Sequence, residues 1–151
     1  MPHDHQNCIN SALTAAKRIC QQQSLRFTPI RQKVLTIIWN NHQAIKAYDI
    51  LEKLQAEDKS AKPPTAYRAL DFLLEHGFIH RIESLNAYIG CPNPEHIHQF
   101  QLLICKACGK VTEMDTPELS KLLEKSVNQH HFEIAHQVIE VHGTCQSCQS
   151  K

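Results

Sequence analysis

The chain has 151 residues, of which 42% are hydrophobic and 21% charged, with a net charge of +1 and seven cysteines; that length makes one ordinary domain or two small ones. No run of about eighteen apolar residues occurs, which excludes a membrane-spanning helix, and the start MPHDHQNC lacks the basic and apolar regions of a signal peptide. An odd number of cysteines suits a reducing compartment better than a disulfide framework, so the expected location is the cytoplasm.

Charge and cysteine use both divide the chain near its middle. Residues 1–83 hold eleven Lys/Arg against eight Asp/Glu, and residues 84–151 five against seven, so the N-terminal half is the one that favours anions. Five of the seven cysteines lie at or beyond Cys91. Two domains of different chemistry are expected.

The first half reads as helical. A helix from about Ser11 to Gln23 carries Leu13, Ala16, Ile19 and Cys20 on one stripe. In RFTPIRQKVLTIIW, Thr28 stands as N-cap and Pro29 at the first helical position, with Val34, Leu35, Ile38 and Trp39 facing a core. A third helix fits Ala47 to Gln55, with Tyr48, Ile50, Leu51 and Leu54 inward. The polar turn AEDKSAKPP then breaks the pattern. Pro64 opens the next helix, which buries Ala66, Ala69, Leu70, Leu73 and Leu74, presents Thr65, Tyr67, Arg68 and Asp71, and stops at Gly77. Two β-prone runs, FIHRIES and AYIGC, follow around Leu85-Asn86. Helices followed by a hairpin make the order of a winged helix. In the second half, HQFQLLIC, KVTEM and FEIAHQVIEVHG read as strands and Pro117 to Gln129 as a helix with Leu119, Leu122, Leu123 and Val127 on one side, an α+β arrangement.

The second half contains two C-x-x-C pairs, Cys105/Cys108 and Cys145/Cys148. Four thiolates bind zinc tetrahedrally and leave no position open to water or substrate, so such a centre is structural and not catalytic. A thioredoxin-type redox pair needs a strand-to-helix junction, whereas both pairs here lie beside β-prone segments. A zinc deaminase finds a partial match in His131-Phe132-Glu133, but Thr144 and not proline precedes the following pair, and Cys105/Cys108 is left unexplained. A second candidate set, His80, Cys91, His98 and Glu113, gathers around the boundary between the halves. A third is His96, His136 and His142 with help from Glu113.

RFTPIRQKVL, KPPTAYRALDFLLEHGF, CKACGKV and HQVIEVHGTCQSC together resemble the ferric uptake regulator family of metal-dependent repressors, in its zinc uptake regulator branch, over nearly the whole chain. The resemblance implies an N-terminal winged-helix DNA-binding domain over residues 1–84, a second wing strand and hinge over 85–92, and a small α/β dimerisation domain over 93–151. It implies two zinc ions per protomer, a structural one on Cys105, Cys108, Cys145 and Cys148 and a regulatory one on His80, Cys91, His98 and Glu113. His98 is preferred to His96 for its offset from Cys105. Ala66 departs from the family pattern, which commonly has valine there.

The function so implied is repression of zinc-uptake genes by a zinc-loaded homodimer on a palindromic double-stranded operator. Arg68 is the expected reader of guanine, Tyr67 packs on bases or backbone, and Arg31, Lys62 and Thr65 are the expected phosphate contacts. The soft Cys91 thiolate favours zinc over iron or manganese, and the alternative function is that of a family sensor of another metal, iron, manganese or nickel. A zinc hydrolase with Glu113 as general base is the rival from another class.

Overall fold

The computed structural model describes residues 4–40, 42–96 and 99–150. The chain divides into two compact units, Met1–Ile97 and His98–Lys151, and both mix helices with a small sheet, in the α+β class.

The first unit holds α1 (His5–Gln22), α2 (Pro29–Trp39), α3 (Ala47–Glu57) and α4 (Pro63–Glu75), with strands β1 (Ile45–Lys46), β2 (Ile79–Ile82) and β3 (Ala87–Gly90). Helix α1 begins six residues before its apolar stripe leads one to expect, because Asp4 caps it. The carboxylate accepts from the backbone N–H groups of Gln6 (3.1 Å) and Asn7 (3.4 Å). Thr28 does precede α2, yet its side chain makes no capping bond. That helix is held by packing, with Val34, Leu35, Ile37 and Ile38 all buried.

Helix α2 lies at the centre and packs on α1, α3 and α4. Leu35, Ile38, Ile50, Leu54, Leu70, Leu73 and Phe78 are fully buried there, and each such side chain withdrawn from water contributes about 1.5–3 kcal/mol. Leu73→Ala is therefore expected to cost about 2–5 kcal/mol, read as a lower urea midpoint at unchanged slope. Phe72, not expected inside, is also buried. Tyr48, expected inside, is 73% exposed. The neighbours of α3 cover Ile50 and Leu54, and Tyr48 lies in the first turn, outside their reach.

The sheet runs β1-β3-β2, all antiparallel, and pairs Ile79 with Gly90 and His80 with Ile89. A 3-10 turn, Glu83–Leu85, precedes Asn86, whose φ of 47° is the left-handed conformation that asparagine tolerates. Arg81 Nη2 donates to Asn86 Oδ1 at 2.9 Å across this turn. Strand β1 escaped the sequence because two residues show no period.

The second unit holds β4 (Gln101–Cys105), β5 (Val111–Met114), α5 (Pro117–Asn128), β6 (Glu140–Gly143) and α6 (Gln146–Gln149), in sheet order β5-β4-β6. Strand β5 is antiparallel to β4, but β6 is parallel to it. The expected strand over residues 132–143 is accordingly confined to Glu140–Gly143. A parallel partner needs a long crossover, and α5 with the segment after it supplies one. Leu122, expected to face inward from α5, is 62% exposed. The core of this unit is small, with Leu102, Ile104, Cys105 and Val111 buried beside Gln101.

Candidate metal centres and nucleic-acid interface

The β4–β5 hairpin carries the first cysteine pair. Cys105 N donates to the Lys110 carbonyl at 2.9 Å, and Gly109, at φ +73°, closes the turn. The parallel register puts Cys105 opposite Gly143, so the chain leaving β6 runs beside the first pair. Cys145 then sits at the N-cap of α6. The second pair thus opens a short helix instead of joining strands, a helix of four residues being too short to show a period. Cys145 N donates to Cys105 Sγ at 3.3 Å, and Cys108 Sγ and Cys145 Sγ are 3.7 Å apart. All four Sγ atoms lie within 4.8 Å of one another. Zinc–sulfur bonds of about 2.3 Å in a tetrahedron put sulfurs about 3.8 Å apart, so the residues fit that ion.

Cys105 and Cys148 are shifted in opposite directions. Backbone N–H groups, that of Cys145 foremost, pull Cys105 down to about 6. Hydrogen bonding to Cys145 and Cys108 holds the proton on Cys148, which is pushed up to about 12. Loading a metal here must release protons, since each ligating sulfur is a thiolate.

In the first unit, His80 lies on β2 and Cys91 just past β3. The ladder continues to Cys91, whose N–H donates to the Phe78 carbonyl at 3.0 Å. With Ile89 opposite His80, alternation puts His80 and Cys91 on one face, diagonal to each other. Both are buried, at 9% and 3% exposure, and their ligand atoms lie within 4.8 Å. A thiolate and an imidazole are donor types that suit zinc or a similar soft-to-borderline ion. Glu113 is half-buried on β5, opposite Leu102. His98 lies outside the described residues.

The third candidate set is spread over both units, with His96 in the first and His136, His142 and Glu113 in the second. Within the second unit and among the described residues, the four cysteines form the one group of three or more such side chains. His136 is exposed, and His142 on β6 faces Glu140 with 3.4 Å between Nε2 and Oε2. His96 is exposed in the first unit. The deaminase constellation also fails, because His131 and Glu133 are exposed and join no such group among the described residues.

The exposed side of α4 matches the expected contact face. Lys62 at the N-cap, Thr65 and Arg68 follow at three-residue steps and so share one side of the helix, all three exposed, with Tyr67 50% exposed beside them. Prolines at 63 and 64 cost no hydrogen bond there, since first-turn N–H groups have no helical partner. Arg31 differs from the rest: its guanidinium lies 3.6 Å over the Phe72 ring and donates to the Arg26 carbonyl. The arginine is half-buried and engaged inside the unit. Tyr48 adds an exposed aromatic that the helical period had assigned to the core.

Residues 22–142 match the ferric uptake regulator family. The chain belongs to that family. This ferric uptake regulator family member is 41% identical over 137 residues to the zinc uptake regulation protein of Escherichia coli (strain K12), covering 90% of this chain and 80% of the relative. It is 27% identical over 144 residues to the ferric uptake regulation protein of Campylobacter upsaliensis, covering 89% and 87%. Its structure is similar to that of a zinc uptake regulator complexed with zinc and DNA, with a TM-score of 0.90 at 39% identity over 94% of this chain and 95% of that one. The crystal structure of holo XcZur is similar too, with a TM-score of 0.88 at 37% identity over 94% and 99%.

Proposed function

We propose that this family member is a cytoplasmic, zinc-responsive transcriptional repressor of zinc-uptake genes, which binds a palindromic operator as a zinc-loaded homodimer and is not an enzyme. The observation that carries this is the buried His80–Cys91 pair, built into the same unit that exposes Lys62, Thr65, Tyr67 and Arg68 on α4. Its similarity to zinc uptake regulators, one of them bound to zinc and DNA, supports the same conclusion.

Each protomer holds a structural zinc on Cys105, Cys108, Cys145 and Cys148 and a regulatory zinc on His80, Cys91, His98 and Glu113 in this reading. An ion bound there would be held by those four side chains and would supply the linkage between them. The chain's own part is to present a thiolate and an imidazole already buried and oriented on paired strands. A thiolate in the set favours zinc over iron or manganese. Exposed Leu122, Phe132, Val138 and Val141 in the second unit support a homodimer, since a partner surface covers large apolar side chains that the protomer leaves in water.

On DNA, Arg68 reads guanine and Tyr67 and Tyr48 pack on bases or backbone, with Lys62 and Thr65 on phosphates. Arg31 acts there only after leaving the Phe72 ring. Arg68→Ala is expected to cost about 1–3 kcal/mol on the operator and to relax specificity at one base pair. Lys62→Ala is expected to weaken all sequences alike and to reduce the salt slope by about 1. Filter binding across a salt series separates the two.

The deciding experiment counts zinc per protomer before and after a mild chelator, beside operator binding across a zinc titration. One resistant zinc and a second, labile zinc that switches binding on are the expected results. A labile zinc without effect on DNA binding makes both ions structural and sinks the sensor assignment.

A further inference from the structure

The chain's one tryptophan, Trp39, ends α2, and Gly90 ends β3. A Cβ added to Gly90 would lie 2.3 Å from Trp39 Cε2, 2.4 Å from Nε1 and 2.8 Å from Cζ2. The backbone itself does not ask for glycine here. Gly90 sits in regular antiparallel register opposite Ile79, and the positive-φ glycines among the described residues are Gly77 and Gly109. What the missing Cβ makes room for is the indole.

The indole has little freedom to move aside. It packs against the hydrophobic core, and the His42 ring meets it edge-on at 6.2 Å between centroids. Its Nε1 is buried without a hydrogen-bond partner, so shape and not polarity holds it in place. Gly90 is followed at once by Cys91, whose N–H is tied to the Phe78 carbonyl. The thiolate is thus set by strand pairing on one side and by the indole on the other.

We propose that Trp39 is a positioning residue for the Cys91 thiolate: the indole lying on Gly90 fixes the end of β3 and so presents the sulfur to the regulatory metal. This inference rests on the assignment of Cys91 as a zinc ligand. Restoring an ordinary carbon–carbon separation of about 3.5 Å after adding a Cβ at position 90 requires a shift of roughly 1 Å. Metal–ligand distances tolerate about 0.2 Å. With the indole wedged, the strand end yields.

The test uses the full-length protein with its structural zinc in place and zinc alone as the probe, titrated against a competing chelator. Cys91→Ser comes first: if it leaves the labile zinc bound, the ligand assignment fails and this inference falls with it. Where Cys91→Ser does remove that zinc, Gly90→Ala is expected to weaken it about tenfold or more, with structural zinc unchanged. In a Trp39→Ala background the same change at Gly90 is expected to alter affinity by less than about threefold, because nothing is left to clash. An equal loss in both backgrounds, or no loss in either, overturns the inference while the zinc assignment stands. Should Gly90→Ala fail to fold, the parent's tryptophan emission decides. Stripping the labile zinc changes it if indole and thiolate are mechanically joined, and an unchanged spectrum overturns the proposal.

Discussion

Cys105→Ser is expected to abolish the fold of the second unit and with it the dimer. That unit, His98–Lys151, falls below the roughly 70–80 residues at which a hydrophobic core alone supplies adequate stability. Its buried apolar set is short, Leu102, Ile104 and Val111 beside Cys105 itself. Strand β6 is tied to the sheet on one edge through four register pairs, and helix α6 has four residues. Neither persists without help, and the four-sulfur cluster joins both to the β4–β5 hairpin. Structural zinc in small domains carries on the order of 10–16 kcal/mol of apparent binding energy, inseparable from folding, which is as large as the roughly 5–15 kcal/mol of net stability typical of a whole domain. Circular dichroism and sedimentation of Cys105→Ser should show lost secondary structure and no dimer at concentrations where the parent is dimeric. Acid should act in the same direction, because protons compete for the thiolates as pH falls. A folded, dimeric Cys105→Ser protein would mean that the cluster is not the clip its geometry implies.

The four-cysteine cluster was legible in the sequence because metal-ligand spacing is a local signal. C-x-x-C places two sulfurs on one turn whatever the tertiary fold, and two such pairs state the ligand count. The four helices of the first unit were legible for a similar reason, since Val34, Leu35 and Ile38 or Ala66, Ala69, Leu70 and Leu73 repeat at the helical period. What the period cannot tell is whether a neighbour covers each stripe position. Tyr48 and Leu122 sit on apolar stripes and are exposed, while Phe72 lies off its stripe and is buried by the ring contacts of His76 and Phe78. The crossover that shortened β6 was hidden likewise, because FEIAHQVIEVHG has strand composition throughout, and only the parallel pairing with β4 decides which residues are strand. The Trp39–Gly90 contact lay wholly out of reach. It joins residues far apart in sequence, and its signal is an absent Cβ.

Cys91→Ser is expected to separate sensing from folding. The thiol is 3% exposed, and serine nearly keeps its volume, so strand pairing through the Cys91–Phe78 hydrogen bond should survive. The hydroxyl, though, is a poor ligand where a thiolate is required. The variant should keep its structural zinc, its dimer and its circular dichroism and should lose the labile zinc. Coupling free energies between an effector and a distant site run at about 1–3 kcal/mol, so operator affinity at saturating zinc should fall about 5–150-fold. Reciprocity supplies an internal check. If zinc tightens operator binding by a given factor in the parent, operator must tighten labile zinc by the same factor, and both factors should collapse to one in Cys91→Ser. A variant that binds operator as tightly as the zinc-loaded parent would detach His80 and Cys91 from regulation and leave them as buried residues of the hairpin.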